Sequence, residues 1–267
     1  MKNIRLMGVL NINDDSFFMG SRFHGDAAIK HIRQMIADGA DMIDVGGVSS
    51  RPGSAVVSEV EEMRRVKPVI DAIFEAKLYE EAMFSLDSYS PECLEYALSR
   101  GFRIVNDITG LKNDAVAEVA ARYGAIVCIM HMQKNPQTMQ QEPFYVDVVQ
   151  EVEDFFKERL AKAKAFGINE VILDVGIGFG KTLAHNIALI QAHSRFARLG
   201  CDLLIGASRK TMIDHIISTP IDERLPGTLI LHVEAVRQGA NIVRCHDVKA
   251  HVQALAVYRA LQKGENV

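Results

Sequence analysis

The sequence contains no tryptophan and few aromatic residues, and it has no apolar run near the roughly 18 residues that a membrane-spanning helix needs. Its first residues lack the apolar core and cleavage site of a signal peptide. We therefore expect a cytoplasmic protein. The 4 cysteines form no C-x-x-C pair, which argues against a zinc site or disulfide framework and favours buried apolar roles. They are Cys93, Cys128, Cys201 and Cys245.

An excess of positive charge is also missing. The 267 residues carry 30 Lys and Arg against 34 Asp and Glu, a formal net charge of -4. No basic field is therefore present to hold nucleic acid or a membrane surface by bulk electrostatics. Any phosphate group must be bound by a few local side chains. The 48% of hydrophobic residues is enough for a full core.

Eight short apolar runs alternate with helical patterns along the chain. The runs are continuously apolar, as in strands that are buried on both faces. Eight strand-then-helix units in 267 residues predict an α/β fold, a closed (β/α)8 TIM barrel, as a single domain over residues 1–267. A doubly wound open sheet is the alternative. The predicted strands are Arg5–Leu10, Asp41–Val45, Met83–Asp87, Phe102–Asn106, Ala125–Met130, Val171–Asp174, Asp202–Gly206 and Ile242–Cys245.

Helix boundaries are indicated by capping residues. Ser58 with Glu61 predicts a capping box, and Ser90 before Pro91 predicts an N-cap. Five glycines stand where helices should end. They are Gly39, Gly101, Gly167, Gly200 and Gly239. The connection after strand five is long, and the segment between Ser208 and Arg224 predicts an extra short helix.

Polar or glycine-rich sequence follows every predicted strand. One polar strand end is ordinary, but in a barrel all eight ends meet at the rim where chemistry takes place. Four cationic side chains fall on the loops after strands two, seven and eight: Arg51, Lys210, Arg244 and His246. Together they predict a phosphate site, although each alone could be a solvated surface charge.

Asp87, Asn106 and Asp174 end strands three, four and six. A carboxylate in such a mouth requires a donor, and a flat heterocycle with adjacent N–H groups offers a bidentate pair. Ion pairing with Lys or Arg of the same rim is the alternative. Beside the cations, these residues predict an enzyme acting on a heterocycle that carries a phosphate leaving group.

The run Gly176-Ile-Gly-Phe-Gly-Lys181-Thr182 is similar to a P-loop. The first glycine of G-x-x-x-x-G-K-[ST] would have to stand at Val175, so the spacing fails by one residue. The glycines either approach a ligand or turn the chain.

These motifs, taken in order from residue 7 to about 260, resemble the dihydropteroate synthase family. The matching segments are Met7–Asn11, Asp15–Phe17, Gly46–Gly53, Asp87-Ser88, Asn106-Asp107, Met130–Met132, Asp174 with Gly176–Lys181, Ser208–Lys210 and Val243–Asp247. The resemblance implies a homodimeric transferase of folate biosynthesis and a sulfonamide target. Such an enzyme joins 7,8-dihydropterin-6-ylmethyl diphosphate to 4-aminobenzoate and releases diphosphate with the help of Mg2+.

The resemblance also implies a role for each site residue. Pterin would contact Asp87, Asn106, Met130, Asp174, Phe179, Gly206 and Lys210, and Asn11 would bind Mg2+. Diphosphate would contact Asn11, Ser50, Arg51, Arg244 and His246, and 4-aminobenzoate would contact Pro52, Phe179 and Ser208. The catalytic residues would be Asp87, Lys210 and Arg244.

The sequence departs from the family pattern mainly in the loop after strand one. Asn13 and Asp14 replace the usual Thr and Pro, and Phe18 and Met19 replace a Ser and an Asp. Two alternatives stay open at this point. One is a pterin-binding methyltransferase with the same barrel, and the other is a slow or regulatory pterin-binding homologue.

Overall fold

The computed structural model describes residues 4–12, 22–48 and 57–263. Eight parallel strands close into a barrel in the order in which they occur along the chain, and β1 pairs with both β2 and β8. The strands are β1 (Arg5–Asn11), β2 (Met42–Gly46), β3 (Met83–Asp87), β4 (Ile104–Asp107), β5 (Ile126–Met130), β6 (Val171–Asp174), β7 (Asp202–Ile205) and β8 (Ile242–Cys245). The barrel prediction is confirmed, and the open-sheet alternative is wrong.

Helices return the chain from each strand end to the start of the next strand. They are α1 (Arg22–Ala37), α2 (Glu59–Glu75), α3 (Pro91–Leu98), α4 (Asp114–Arg122), α5 (Val148–Ala165), α6 (Leu183–Gln191), α7 (His193–Ala197), α8 (Thr211–Ile216), α9 (Leu225–Arg237) and α10 (Val248–Lys263). Two 3-10 turns lie at Leu78–Glu80 and Ile221–Glu223. The extra short helix predicted between Ser208 and Arg224 is α8.

The local signals predicted the helix ends well. Ser90 caps α3 by accepting from the Cys93 amide, and the five predicted stop glycines all have positive φ. Only half of the predicted capping box at Ser58 forms. Its hydroxyl accepts from the Glu61 amide, but the Glu61 carboxylate is paired with Arg64 and Arg65 instead. Two nearby guanidinium groups are stronger partners for a carboxylate than one backbone amide.

Alternation along the strands separates two apolar cores. One set of positions packs against the helices in the main core. The intervening positions form a smaller cluster, which fills the barrel interior because successive strand residues face opposite sides of the sheet. The interior set is Met7, Met42, Ile104, Ile126, Cys128, Ile172, Leu204 and Ile242.

None of the four cysteines forms a disulfide, and Cys93, Cys128 and Cys245 are buried, as the sequence predicted, whereas Cys201 is only half-buried. Among the described residues, no helix combines the length and apolar character that are needed to cross a membrane.

Candidate active site

The side chains two positions beyond the interior apolar layer gather at one end of the barrel. A step of two residues keeps the same face of a strand, so these side chains also face the barrel axis. They lie at the carboxyl ends of the strands, which is the catalytic end of this fold. The set is Asp44 on β2, Asn106 on β4, Asp174 on β6 and Arg244 on β8.

A charged network crosses the barrel at this level. Arg244 donates to Asp44 Oδ2 through Nε at 2.7 Å, and its Nη2 lies 2.6 Å from the same oxygen. Nη2 also donates to Asp87 Oδ2 at 3.2 Å. The Asn106 amide donates to Asp44 Oδ2 at 3.0 Å. Three of the sequence-predicted residues, Asp87, Asn106 and Arg244, are therefore brought together by a fourth residue that was not predicted.

Asp44 is that fourth residue. It is fully buried, and its Oδ1 atom has no hydrogen-bond partner. The sequence does carry a signal for it, because Asp44 is the single charge within the apolar strand Met42–Gly46. Asp44 lies in the middle of its strand, whereas the predicted site residues lie at strand ends.

Burial raises the pKa values of Asp87 and Asp174. Burial, together with the negative charge of Asp44, raises the pKa of Asp87 to about 7, although Arg244 opposes that change. Burial also raises the pKa of Asp174, and the Gly176 amide, which donates to Asp174 Oδ1 at 2.8 Å, opposes it. Attraction to Asp44 and Asp87 outweighs burial at Arg244 and raises its pKa further.

The glycine-rich loop after β6 folds against the loop after β5. Gly176 has a φ of +67°, and a Cβ at this position would lie 2.0 Å from the His131 carbonyl oxygen. Only glycine combines this conformation with this close approach. The sequence left open whether these glycines approach a ligand or turn the chain. At Gly176 the positive φ and the nearby His131 carbonyl show that the glycine is needed for the turn.

Lys181 joins the same two loops. Its Nζ lies 3.1 Å from both Nδ1 and the carbonyl oxygen of His131, and 2.9 Å from the Phe179 carbonyl oxygen. Burial lowers the pKa of Lys181 to about 7 and that of His131 to about 2. Lys181 was not among the predicted site residues, although the three glycines just before it are a signal in the sequence.

An apolar wall flanks the acids. Met130 and Phe179 belong to a cluster with Ile108 and Met139 that is separate from the main core. The Lys210 ammonium lies 4.2 Å from the centroid of the Phe179 ring. Three residues predicted to contact pterin thus lie together, in a setting suited to a flat ring with polar edges.

The loops after β7 and β8 are tied side by side. Ser208 Oγ lies 2.9 Å from His246 Nδ1, and Arg209 donates to both carboxylate oxygens of Asp247, at 3.1 and 2.6 Å. Two residues predicted to contact different substrates, Ser208 and His246, are therefore neighbours.

Asn11 ends β1 next to Gly46 on β2. The Asn11 amide oxygen and Asp87 Oδ2 each lie 3.9 Å from the place that a Gly46 Cβ would occupy. The remaining predicted residues, Ser50, Arg51 and Pro52, lie outside the described part of the chain, as do the atypical Asn13, Asp14, Phe18 and Met19.

Comparison with known proteins identifies the family. The model of the family described as pterin binding enzyme matches residues 7–246. The dihydropteroate synthase of Escherichia coli strain K12 is 44% identical over 258 residues, covering 96% of this chain and 90% of the relative. The chain belongs to the dihydropteroate synthase family of pterin-binding enzymes. Members of this family are transferases of folate biosynthesis.

Two solved dihydropteroate synthases show that the likeness extends to the whole fold. The Yersinia pestis enzyme, solved with a sulfonamide drug complex, has a TM-score of 0.90 at 37% identity, covering 98% of this chain and 95% of that one. The Thermus thermophilus enzyme, solved with 4-aminobenzoate, has a TM-score of 0.87 at 37% identity, covering 97% and 95%. These matches favour the synthase over the methyltransferase alternative.

Proposed function

We propose that this chain condenses 7,8-dihydropterin-6-ylmethyl diphosphate with 4-aminobenzoate, giving 7,8-dihydropteroate and diphosphate. The main support is the shared face of Asp87, Asn106, Asp174 and Arg244 at one barrel mouth. Acids and an amide that can read a heterocycle therefore lie beside cations that can stabilise a leaving diphosphate.

Ring recognition follows from groups whose orientations are already fixed. Asp174 Oδ1 accepts from Gly176, while Oδ2 lies 3.8 Å from the space that a Cβ on Gly206 would fill. A ring N–H and an exocyclic amine can reach this carboxylate from the Gly206 side. The Asn106 amide nitrogen is held by Asp44, which leaves the amide oxygen to accept from the ring. Met130 and Phe179 would pack on its faces.

Diphosphate would bind Asn11, Ser50, Arg51, Arg244 and His246. The C–O bond breaks with its electron pair passing to diphosphate, and these cations stabilise the departing charge. The electron-rich pterin spreads the positive charge left on the methylene carbon, and the Asp87 carboxylate favours it electrostatically. The amine of 4-aminobenzoate, bordered by Pro52, Phe179 and Ser208, forms the new C–N bond and then loses a proton. No protein nucleophile is required.

The donor set at Asn11 fits Mg2+. Among the described residues no three His, Cys, Asp or Glu side chains cluster as metal ligands. An amide oxygen beside a carboxylate is nevertheless the kind of site that Mg2+ uses, since it binds through one or two protein oxygens together with substrate phosphates. When bound, the ion would neutralise negative charge on the diphosphate oxygens.

We also propose a homodimer in the cytoplasm. Supporting the dimer, large apolar side chains are exposed on α8, on the turn after it and on α9, where a second copy could cover them. They are Ile216, Ile217, Ile221 and Ile230. Sedimentation of the wild type beside Ile216→Asp and Ile230→Asp variants tests this, because a dimer at this face should dissociate in both.

The decisive assay measures diphosphate release from both substrates, with Asp174→Asn as a matched variant. The expected result is release that depends on 4-aminobenzoate, is inhibited competitively by a sulfonamide and is strongly weakened in the variant. Tight pterin diphosphate binding without condensation would overturn the proposal in favour of a slow or regulatory homologue.

A further inference from the structure

Two buried histidines lie behind the ends of β7 and β8. His232 on α9 and His251 on α10 are each only 1% exposed. His232 Nδ1 lies 2.8 Å from His251 Nε2. The outer nitrogens also have partners, because the Ala207 amide donates to His232 Nε2 at 2.9 Å and His251 Nδ1 lies 2.7 Å from the Asp247 carbonyl oxygen. The two rings thus form a continuous hydrogen-bonded chain from the residue before Ser208 to the residue after His246.

The backbone groups at the two ends determine the proton positions. An amide N–H only donates, so His232 Nε2 must accept and Nδ1 must carry the proton. His251 Nε2 then accepts from His232, and His251 Nδ1 donates to a carbonyl oxygen, which only accepts. Every atom of the chain is satisfied only while both rings are neutral. A proton added to either ring would place two donors against each other.

We propose that His232 and His251 are positioning residues that hold the loop after β7 against the loop after β8, and so place Ser208 relative to His246. This inference rests on the proposed function, because the group to be received between those loops is diphosphate. The histidine chain runs alongside the two surface ties already described, Ser208 to His246 and Arg209 to Asp247. It differs from them in being buried and in depending on the protonation of its members.

The surroundings keep the pair neutral near pH 7. The groups that face it are His193 from α7 and His246 and Asp247 from the end of β8, and the Asp247 carboxylate is held by Arg209. Burial lowers the pKa of both histidines, which places their protonation below their usual value of about 6.5. Acidification therefore breaks the chain, and neutral or alkaline pH preserves it.

The test uses the full-length protein and three forms of position 251: wild type, His251→Leu and His251→Gln. Leucine removes the acceptor for His232. Glutamine can accept through an amide oxygen near the place of Nε2, and it does not titrate. Calorimetry measures the affinity for inorganic diphosphate at about pH 8 and at about pH 5, the lower value lying well below the usual histidine pKa of about 6.5 because burial lowers the pKa of both rings. The affinity for a diphosphate-free dihydropterin serves as the internal control for folding.

At about pH 8, His251→Leu should lose about tenfold in diphosphate affinity, equal to about 1.4 kcal/mol. The diphosphate-free pterin should bind all three forms alike. The Gln variant should bind diphosphate like the wild type at high pH and lose less affinity on acidification. Since His246 is present in all three forms, its own titration cancels in the comparison.

Nitrogen NMR of the histidine rings gives a readout that does not depend on ligand. Both rings should be neutral near pH 7, with the proton on Nδ1. A proton on Nε2 of either ring, unchanged diphosphate binding in His251→Leu, or a Gln variant with the wild-type pH dependence would overturn the positioning role alone. A wild type that fails to bind diphosphate at all would overturn the proposed function together with it.

Discussion

Arg244 on β8 and Asp44 on β2 meet at the barrel mouth, with two guanidinium nitrogens on the single oxygen Oδ2 at 2.7 and 2.6 Å. The other carboxylate oxygen is buried without a hydrogen-bond partner. The hydrogen bonds of the Asp44 side chain are thus directed toward Arg244 and Asn106, two residues proposed to contact substrate. This pair fixes the site before substrate arrives, which is how preorganised electrostatics lowers a barrier.

Removing the charge of Asp44 should cost much more stability than removing a surface charge. Asp44→Asn leaves the largely buried Arg244 guanidinium with Asp87 as its only remaining carboxylate contact, and we expect a loss of about 3 kcal/mol in the free energy of unfolding. Glu95→Gln is the control, because Glu95 pairs with Arg122 at 2.8 Å on the exposed surface. It should cost less than about 1 kcal/mol. Urea unfolding measures both, and equal losses would contradict a structural role for the buried pair.

Pterin binding should weaken on acidification through about pH 7, because the pKa of Asp87 is raised to about 7 and the protonated acid is a poorer acceptor. In calorimetric titrations with a diphosphate-free dihydropterin, the Asp87→Asn variant should not show this loss of affinity on acidification. A raised acid pKa means that the folded state binds the proton more tightly than the unfolded chain. The contribution of Asp87 to stability is therefore present below about pH 4 and is lost as the pH rises to about 7. A wild-type affinity that is flat across pH 6 to 8 would contradict this assignment.

Gly176→Ala should be far more damaging than Gly124→Ala. Both positions have positive φ, +67° and +59°, but a Cβ at Gly124 meets nothing within 4 Å. The control should therefore show only the conformational cost of about 1 kcal/mol. Gly176→Ala should lose at least about 2 kcal/mol more, because its Cβ would collide with the His131 carbonyl. Thermal unfolding separates the two costs, and similar melting temperatures would show that the loop moves aside freely.

Stability should rise with pH above neutrality because of Lys181. Burial lowers the pKa of its amine from 10.5 to about 7. The unfolded chain keeps the proton across this interval while the folded protein releases it, so the free energy of unfolding increases from about pH 7 to about pH 10. Lys181→Met should flatten the rise, and Lys164→Met, at an exposed position, should preserve it. Urea midpoints at several pH values measure the slope, which would be the same in all three proteins if Lys181 keeps its proton when folded.

Several features could be read from the sequence because they depend on neighbours along the chain. The ends of β3, β6 and β8 match the predicted residues, and the stop glycines have the expected conformation. The other strands differ by one or two residues at one or both ends, as at β4, which spans Ile104–Asp107 where Phe102–Asn106 was predicted. The closed barrel followed from eight repeated units, since strand order then equals chain order. The family followed from motifs that are themselves contiguous.

Only the tertiary structure decided which side chains contact each other. Arg244 and Asp44 are 200 residues apart in sequence, and His232 and His251 lie on different helices, so no local pattern joins either pair. Asp44 can be buried without a large cost only because closure of the barrel brings the Arg244 guanidinium to it. Gly176 cannot be replaced freely because the His131 carbonyl of another loop lies against it. The sequence alone determined which side chains reach the rim, because alternation along a strand is local. Which of them touch each other was determined only when β8 came to pair with β1.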